Sequence, residues 1–193
     1  MDGPSLKTEL RKTILARRDA LSLADRLDKS GLIAERLEDI PEYVAATTVM
    51  FYVEFRSEVV TLPMLDAALK AGKRVVVPKV DKAAHRLDLY EIKDPAHELE
   101  TGYMGIPEPV PALARKAKPE DIDLVILPGV GFDTSCGRLG YGGGYYDRLI
   151  ETLRPDVSLV ALAFEAQLVD EVPCDPHDRR VGKVITEKRV IAA

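Results

Sequence analysis

The stretch Leu124-Val-Ile-Leu-Pro-Gly-Val-Gly-Phe-Asp-Thr-Ser-Cys-Gly-Arg-Leu-Gly-Tyr-Gly-Gly-Gly-Tyr-Tyr-Asp-Arg148 decides how this chain folds. Its first four residues are apolar and stop at Pro128, which predicts a buried strand over 124–127. A loop follows and closes on Gly140, Gly142, Gly143 and Gly144. Tyr145-Tyr146-Asp147-Arg148 then opens an apolar-periodic segment, predicting a helix over 143–154 that ends before Pro155. Seven of the chain's 13 glycines lie between Gly129 and Gly144. Glycine costs backbone entropy. Such crowding is expected where backbone passes close to a ligand, with amide N–H groups free to point at it.

The flanking sequence supplies the rest of a sheet. Leu6, Leu10, Ile14, Leu15 and Leu21 recur at helical spacing, and residues 5–38 read as helical. Ser22 predicts an N-cap for a second helix, with Asp25 at the capping-box position. Leu27, Leu32, Ile33 and Leu37 are expected to form its buried stripe, and Pro41 to end the region. Residues 47–53 are β-branched and aromatic, as in a buried strand. After a loop over 54–60, Thr61 predicts a helix cap, with Pro63 in the first turn and Gly72 as the stop. The next strand is expected at 74–77, and strand–helix–strand succession argues for parallel pairing. Residues 87–92 read as a strand nearer an edge; 159–164 and 184–186 complete the set. No repeat or linker divides the chain. Residues 1–193 are expected to form a single α/β domain, a mostly parallel open sheet flanked by helices on both faces.

Composition narrows the function classes. The 193 residues are 46% hydrophobic and 31% charged, as in ordinary globular proteins. A net charge of −5 argues against non-specific nucleic-acid binding. No apolar run approaches membrane-spanning length. The basic N-terminal region lacks the apolar centre of a signal peptide. Cys136 and Cys174 are the two cysteines, without a CxxC, so neither a disulfide framework nor a zinc site is indicated. A cytoplasmic monomer is the expectation.

The glycine loop contains no P-loop, no clean GxGxxG and no GxSxG elbow. What remains is a strand, a glycine-rich loop and a helix N-terminus, an arrangement suited to phosphate. Arg138 could add a bidentate cation, and Asp147 could hold a magnesium ion beside phosphate. Each feature alone has an ordinary explanation: a hairpin turn, a helix-dipole partner, tyrosines packing in a core. Together they favour a phosphate site. Lys7 and Arg11 lie four apart on one helix face, either as a solvated face or as a cationic clamp on an anion. Glu58 precedes a helix cap, either as a surface acid or as a carboxylate receiving the donors of a polar ring. His85 and His97 are assigned no role, and Cys136 has no basic partner to make it a nucleophile.

These stretches also resemble a known family. Leu-Pro-Gly-Val-Gly-Phe-Asp at 127–133 and Arg-Leu-Gly-Tyr-Gly-Gly-Gly-Tyr-Tyr-Asp-Arg at 138–148 resemble the 5-formyltetrahydrofolate cyclo-ligases. Lys7-x-x-x-Arg11, Glu58 with Thr61, and Gly105-Ile106-Pro107-Glu108-Pro109 resemble further segments in the family's order. So does Pro173 with His177-Asp178, leading to Val184-Ile185-Thr186. The resemblance implies cyclisation of 5-formyltetrahydrofolate to 5,10-methenyltetrahydrofolate, dependent on ATP and Mg2+. It implies ATP contacts at Lys7, Arg11, Arg138, Leu139, Gly140, Tyr141, Gly142, Gly143, Gly144, Tyr145 and Tyr146. It implies substrate contacts at Val53, Glu58, Met104 and the loop from Tyr141 to Tyr145, and a metal contact at Asp147. No side chain is assigned the chemical step itself. Two positions depart from the pattern. Gly182 stands where the family carries a second metal-binding aspartate, and Met104 stands where it carries an aromatic residue. They leave open a second reading, a family member that binds nucleotide or folate without turnover or acts on another substrate.

Overall fold

The computed structural model describes residues 3–173 and 179–193, with side chains from Leu6 onward. Two helices, α1 (Gly3–Asp19) and α2 (Leu23–Asp39), precede the sheet. Ser22 caps α2 as expected, its hydroxyl accepting from the Asp25 amide at 3.0 Å. Leu27 and Leu32 depart from expectation, being 50% and 43% exposed, while Ile33 and Leu37 are buried. The apolar stripe of α2 is therefore narrower than its leucines suggest. Burial of Ile33 and Leu37 contributes about 1.5–3 kcal/mol each. Pro41 also does not end the region: it opens a short helix, α3 (Pro41–Ala45), where its fixed φ suits the first turn.

Strand β1 (Thr48–Met50) leads through a loop to α4 (Leu62–Lys70) and β2 (Arg74–Asp81). Strand β3 (Arg86–Ile92) turns back antiparallel on β2. A proline-rich excursion carries α5 (Pro95–Glu98), β4 (Leu99–Thr101), β5 (Pro107–Pro109) and β6 (Arg115–Lys116). Then come β7 (Leu124–Leu127), a small hairpin of β8 (Gly131–Phe132) and β9 (Arg138–Leu139), and α6 (Tyr145–Thr152). Strands β10 (Ser158–Leu162), β11 (Lys183–Ile185) and β12 (Val190–Ala192) finish the chain.

The main sheet has eight strands in the order β12-β11-β10-β7-β1-β2-β3-β6. Its five central strands, β11 to β2, are parallel. Strands β12, β3 and β6 add antiparallel edges; β12 escaped the sequence reading. From β1 the chain proceeds one way to β2, whereas β7 proceeds the other way to β10. Right-handed crossovers in opposite directions place their helices on opposite faces. Alternating strand residues show this directly. Val49, Val75, Leu124, Ile126, Val160 and Leu162 share a core with α2, α3 and α4. Met50, Val76, Val125, Leu127 and Ala161 share another with Leu149 and Ile150 of α6. The reversal also opens a crevice at the carboxyl ends of β1 and β7, where ligands bind in such sheets.

Candidate functional site

A cavity of about 480 Å³ occupies that crevice. Tyr52 and Val53 enter it from the end of β1, Pro128 from the end of β7, and Glu58 from the loop between β1 and α4. That loop is fixed by two carboxylates. Glu54 accepts from the amides of Thr61 and Leu62, at 3.1 and 3.2 Å, and so caps α4. Thr61 stands at the N-cap as predicted, but its side chain makes no capping bond and its hydroxyl donates to Tyr52 O at 2.8 Å. Glu58 accepts from the Phe55 amide at 2.8 Å and is itself buried. Burial pushes its pKa above the ordinary carboxylate value, outweighing the Tyr141 hydroxyl, the Phe55 amide and the charge of Arg18.

The glycine loop forms the facing wall, with Gly140 through Tyr146 and Asp147 lining the cavity. Its glycines divide by cause. Gly142 and Gly144 have φ of +96° and +67°, a region that side-chain-bearing residues rarely adopt. Gly144 is the N-cap of α6. Gly131, by contrast, is small because a Cβ there would meet the Ile14 side chain at 2.4 Å. Part of the glycine crowding is therefore packing beneath the loop and not ligand contact above it. Asp133 staples the preceding hairpin, accepting from the amides of Ser135 and Gly137 at 2.9 and 2.8 Å. Gln167 holds the carbonyls of Gly129 and Val130.

Helix α1 lies across this loop. Ile14 is fully buried with Val130, Leu139 and Val172. One turn before it, Arg11 Nε donates to Gly140 O at 2.8 Å. One turn after it, Arg18 Nη1 donates to the Tyr141 hydroxyl at 2.8 Å. The same hydroxyl donates to Glu58 Oε1 at 2.6 Å. The loop residue Tyr141 thus bridges a buried cation and a buried acid. Arg18 was missed by the sequence reading. Its signal was present: Lys7, Arg11, Ile14 and Arg18 follow the 3.6-residue period, and an apolar Ile14 within that stripe turns the whole face inward.

Several expected contacts sit differently. Arg138 is not a free phosphate cation: its side chain is 4% exposed and is ion-paired with Asp147. Its Nη1 also donates to Pro128 O at 3.3 Å. Leu139 turns its side chain into the core, and its carbonyl accepts from the Val130 amide at 2.8 Å. Lys7, half-buried, and Arg11 are outside the cavity wall, although Arg11 touches the loop. Met104 lines the cavity mouth at 57% exposure, with φ of +56°. Gly182 is displaced from the site altogether. Its amide bonds Leu159 O at 2.8 Å, at the amino ends of β10 and β11. A Cβ there would meet Leu159 O at 3.3 Å, and residue 182 is not part of the cavity wall. His177 and Asp178 lie outside the described residues.

His85, assigned nothing from the sequence, reaches the loop from the turn between β2 and β3. Its ring stacks on Tyr145, with centroids 4.7 Å apart and planes 4° from parallel. Its Nε2 lies 2.8 Å from Gly143 O. No local pattern marks such a contact, because 58 residues separate the partners. Burial raises the pKa of the Tyr141 and Tyr146 hydroxyls, with the charge of Glu58 adding to it. Both remain protonated donors at neutral pH.

Asp147 was expected to hold a metal ion. Its Oδ1 accepts from Arg138, and the carboxylate is 39% exposed. Among the described residues no cluster of three or more His, Cys, Asp or Glu side chains could hold a metal. One carboxylate is nonetheless a fitting contribution to a magnesium ion that takes its other ligands from phosphate and water.

A doubly covered parallel sheet with a glycine loop and a buried acid facing one crevice defines an α/β enzyme fold with a small-molecule cavity. Known proteins narrow the class. The model of the 5-formyltetrahydrofolate cyclo-ligase family matches residues 4–187. A 5-formyltetrahydrofolate cyclo-ligase of Mycolicibacterium smegmatis is 30% identical over 193 residues, covering 99% of this chain and 98% of that one. The Escherichia coli K12 protein of the same name is 30% identical, covering 92% and 98%. The solved 5,10-methenyltetrahydrofolate synthetase of Aquifex aeolicus superposes with a TM-score of 0.85 at 35% identity, covering 97% and 92%. The chain belongs to the 5-formyltetrahydrofolate cyclo-ligase family, and so to the ligases. Among the described residues no helix is long and apolar enough to cross a membrane.

Proposed function

We propose that this protein closes 5-formyltetrahydrofolate to 5,10-methenyltetrahydrofolate, consuming ATP and releasing ADP and phosphate. One observation carries the reading. Tyr141 of the glycine loop is bonded to buried Glu58, so a phosphate-type loop and a ring-binding acid face the same cavity. A nucleotide and a polar ring can then meet within it.

The chemistry suits such a site. An amide oxygen is a poor leaving group until it is phosphorylated. The formyl oxygen takes the γ-phosphoryl group, and ADP departs. N10 then attacks the formyl carbon and loses its proton. The C–O bond breaks, and phosphate carries the oxygen away. This sequence needs positioning and charge neutralisation more than a protein nucleophile. In this reading the backbone amides of residues 140–144 receive phosphate oxygens, and Arg11, which braces the loop at Gly140 O, adds positive charge beside them. Glu58 holds the ring, and Tyr145, braced by His85, closes the loop side. Asp147 would supply one oxygen to a magnesium ion travelling with the nucleotide, which neutralises the developing phosphoryl charge.

The test is a direct assay: protein, ATP, magnesium and 5-formyltetrahydrofolate, with absorbance of the methenyl product followed over time. Absorbance growth matched by ADP release is the expected result. Ligand-dependent thermal stabilisation without turnover at high enzyme concentration would establish a non-catalytic binder instead. ADP release with another small amide or carboxylate, and none with this substrate, would point to a different phosphotransferase.

A further inference from the structure

Among the described residues Arg18 is the largest fully buried side chain; it lines the cavity and makes no ion pair with any of them. Its Nε donates to Ser57 Oγ at 2.9 Å, and Ser57 donates in turn to Asp19. Its Nη1 is held by the Tyr141 hydroxyl. Its Nη2 has no hydrogen-bond partner among the described residues. A buried guanidinium nitrogen without an acceptor loses its hydration with nothing in return. Folding proteins rarely retain such an atom in a cavity wall without a use for it. The neighbouring acid sharpens the point. Glu58 can receive N–H donors, and the Arg18 guanidinium lies one hydroxyl away through Tyr141. An acceptor-rich acid beside a donor-only cation matches a ring edge that alternates N–H donors with a carbonyl oxygen.

We propose that Arg18 is a substrate-binding residue that donates Nη2–H to the 4-oxo oxygen of the ring whose N–H groups Glu58 receives. This rests on the folate reading of the cavity and assigns the ring its orientation. Ser57 is the positioning residue: it fixes the guanidinium plane through Nε. Tyr141 is shared between acid and cation, so ring binding and the seating of the glycine loop become linked. A ring donor that takes Glu58 Oε1 competes with the proton of the Tyr141 hydroxyl, which still accepts from Arg18 Nη1 and leaves Nη2 for the ring oxygen.

The experiment compares two ligands by calorimetry without ATP: 5-formyltetrahydrofolate, and the same molecule with an amino group replacing the 4-oxo oxygen. Each is measured against wild type, Arg18→Met and Arg18→Lys, with thermal unfolding as the folding control. A hydrogen bond from a charged donor corresponds to about 10- to 150-fold in affinity. Arg18→Met is expected to weaken the 4-oxo ligand by that factor and to leave the 4-amino ligand within about threefold, about 0.7 kcal/mol at 1.4 kcal/mol per tenfold. Arg18→Lys is expected to recover part of the loss. Equal weakening of both ligands, or of neither, overturns the proposal. Failure of wild type to bind either ligand overturns the folate reading itself, and the proposal with it. Should both variants unfold, side-chain 15N NMR of wild-type arginine decides. Slowed Nη–H exchange with the 4-oxo ligand alone supports the contact, and the same exchange with both ligands refutes it.

Discussion

Tyr141→Phe removes one oxygen and tests the bridge on which the site depends. The hydroxyl accepts from Arg18 Nη1 at 2.8 Å and donates to Glu58 Oε1 at 2.6 Å. Both partners are buried, at 0% and 5% exposure. Hydrogen bonds to charged groups contribute about 1.5–3 kcal/mol each. Tyr141 itself is 44% exposed, which argues for the low end. Two bonds at the low end make the expected loss about 3 kcal/mol. For a domain of this length, 1 kcal/mol moves Tm by about 2–4 °C, so a fall of about 6–12 °C is expected. The loss arises because phenylalanine fills the same space and takes one hydrogen bond from each charge, leaving Arg18 with Ser57 and Glu58 with the Phe55 amide. Saturating 5-formyltetrahydrofolate should raise Tm more in the variant than in wild type, since the ligand then supplies the missing donor and acceptor. Thermal unfolding with and without ligand measures both quantities. A Tm within about 1 °C of wild type means less than about 0.5 kcal/mol was lost. That result would refute the bridge.

Three further predictions follow from individual contacts. Arg138→Ala should lower stability by about 2.5 kcal/mol, because two buried methylenes are lost at about 0.8 kcal/mol each and a half-exposed ion pair adds up to about 1; an unchanged Tm with weakened ATP binding would restore the simple phosphate role. Glu58→Gln should flatten the pH dependence of stability. The wild-type carboxyl has a raised folded pKa, so the folded state holds more protons than the unfolded one between the ordinary carboxylate value and that raised value. Wild-type stability therefore falls as pH rises through this window, and unfolding curves for the glutamine variant should lack that fall. Asp147→Asn should raise the magnesium concentration needed for half-maximal turnover while costing little stability, because the carboxylate is 39% exposed; an unaltered magnesium titration would remove Asp147 from the metal's surroundings.

The sequence alone determined the sheet, the glycine loop and their adjacency. Strand 124–127, Pro128 and the loop that follows are local chemistry, written in apolar runs, proline and glycine. The five parallel strands and the two-sided layering follow from strand–helix–strand succession and the handedness of crossovers. Glu58 and the loop were legible as neighbours because both follow strands of one sheet. Tertiary structure decided the partners. Arg138 reads as a phosphate cation from its motif, but its burial beside Asp147 is fixed by the hairpin and α6 together. Gly182 reads as a lost metal ligand by resemblance, and register alone places it at the amino ends of β10 and β11. Arg18 and His85 reach the loop from 123 and 58 residues away, distances at which no periodicity operates. Local sequence fixes the direction and spacing of side chains along one element. Which buried charge meets which hydroxyl depends on how elements pack, and here that packing joins Arg18, Tyr141 and Glu58 over the cavity.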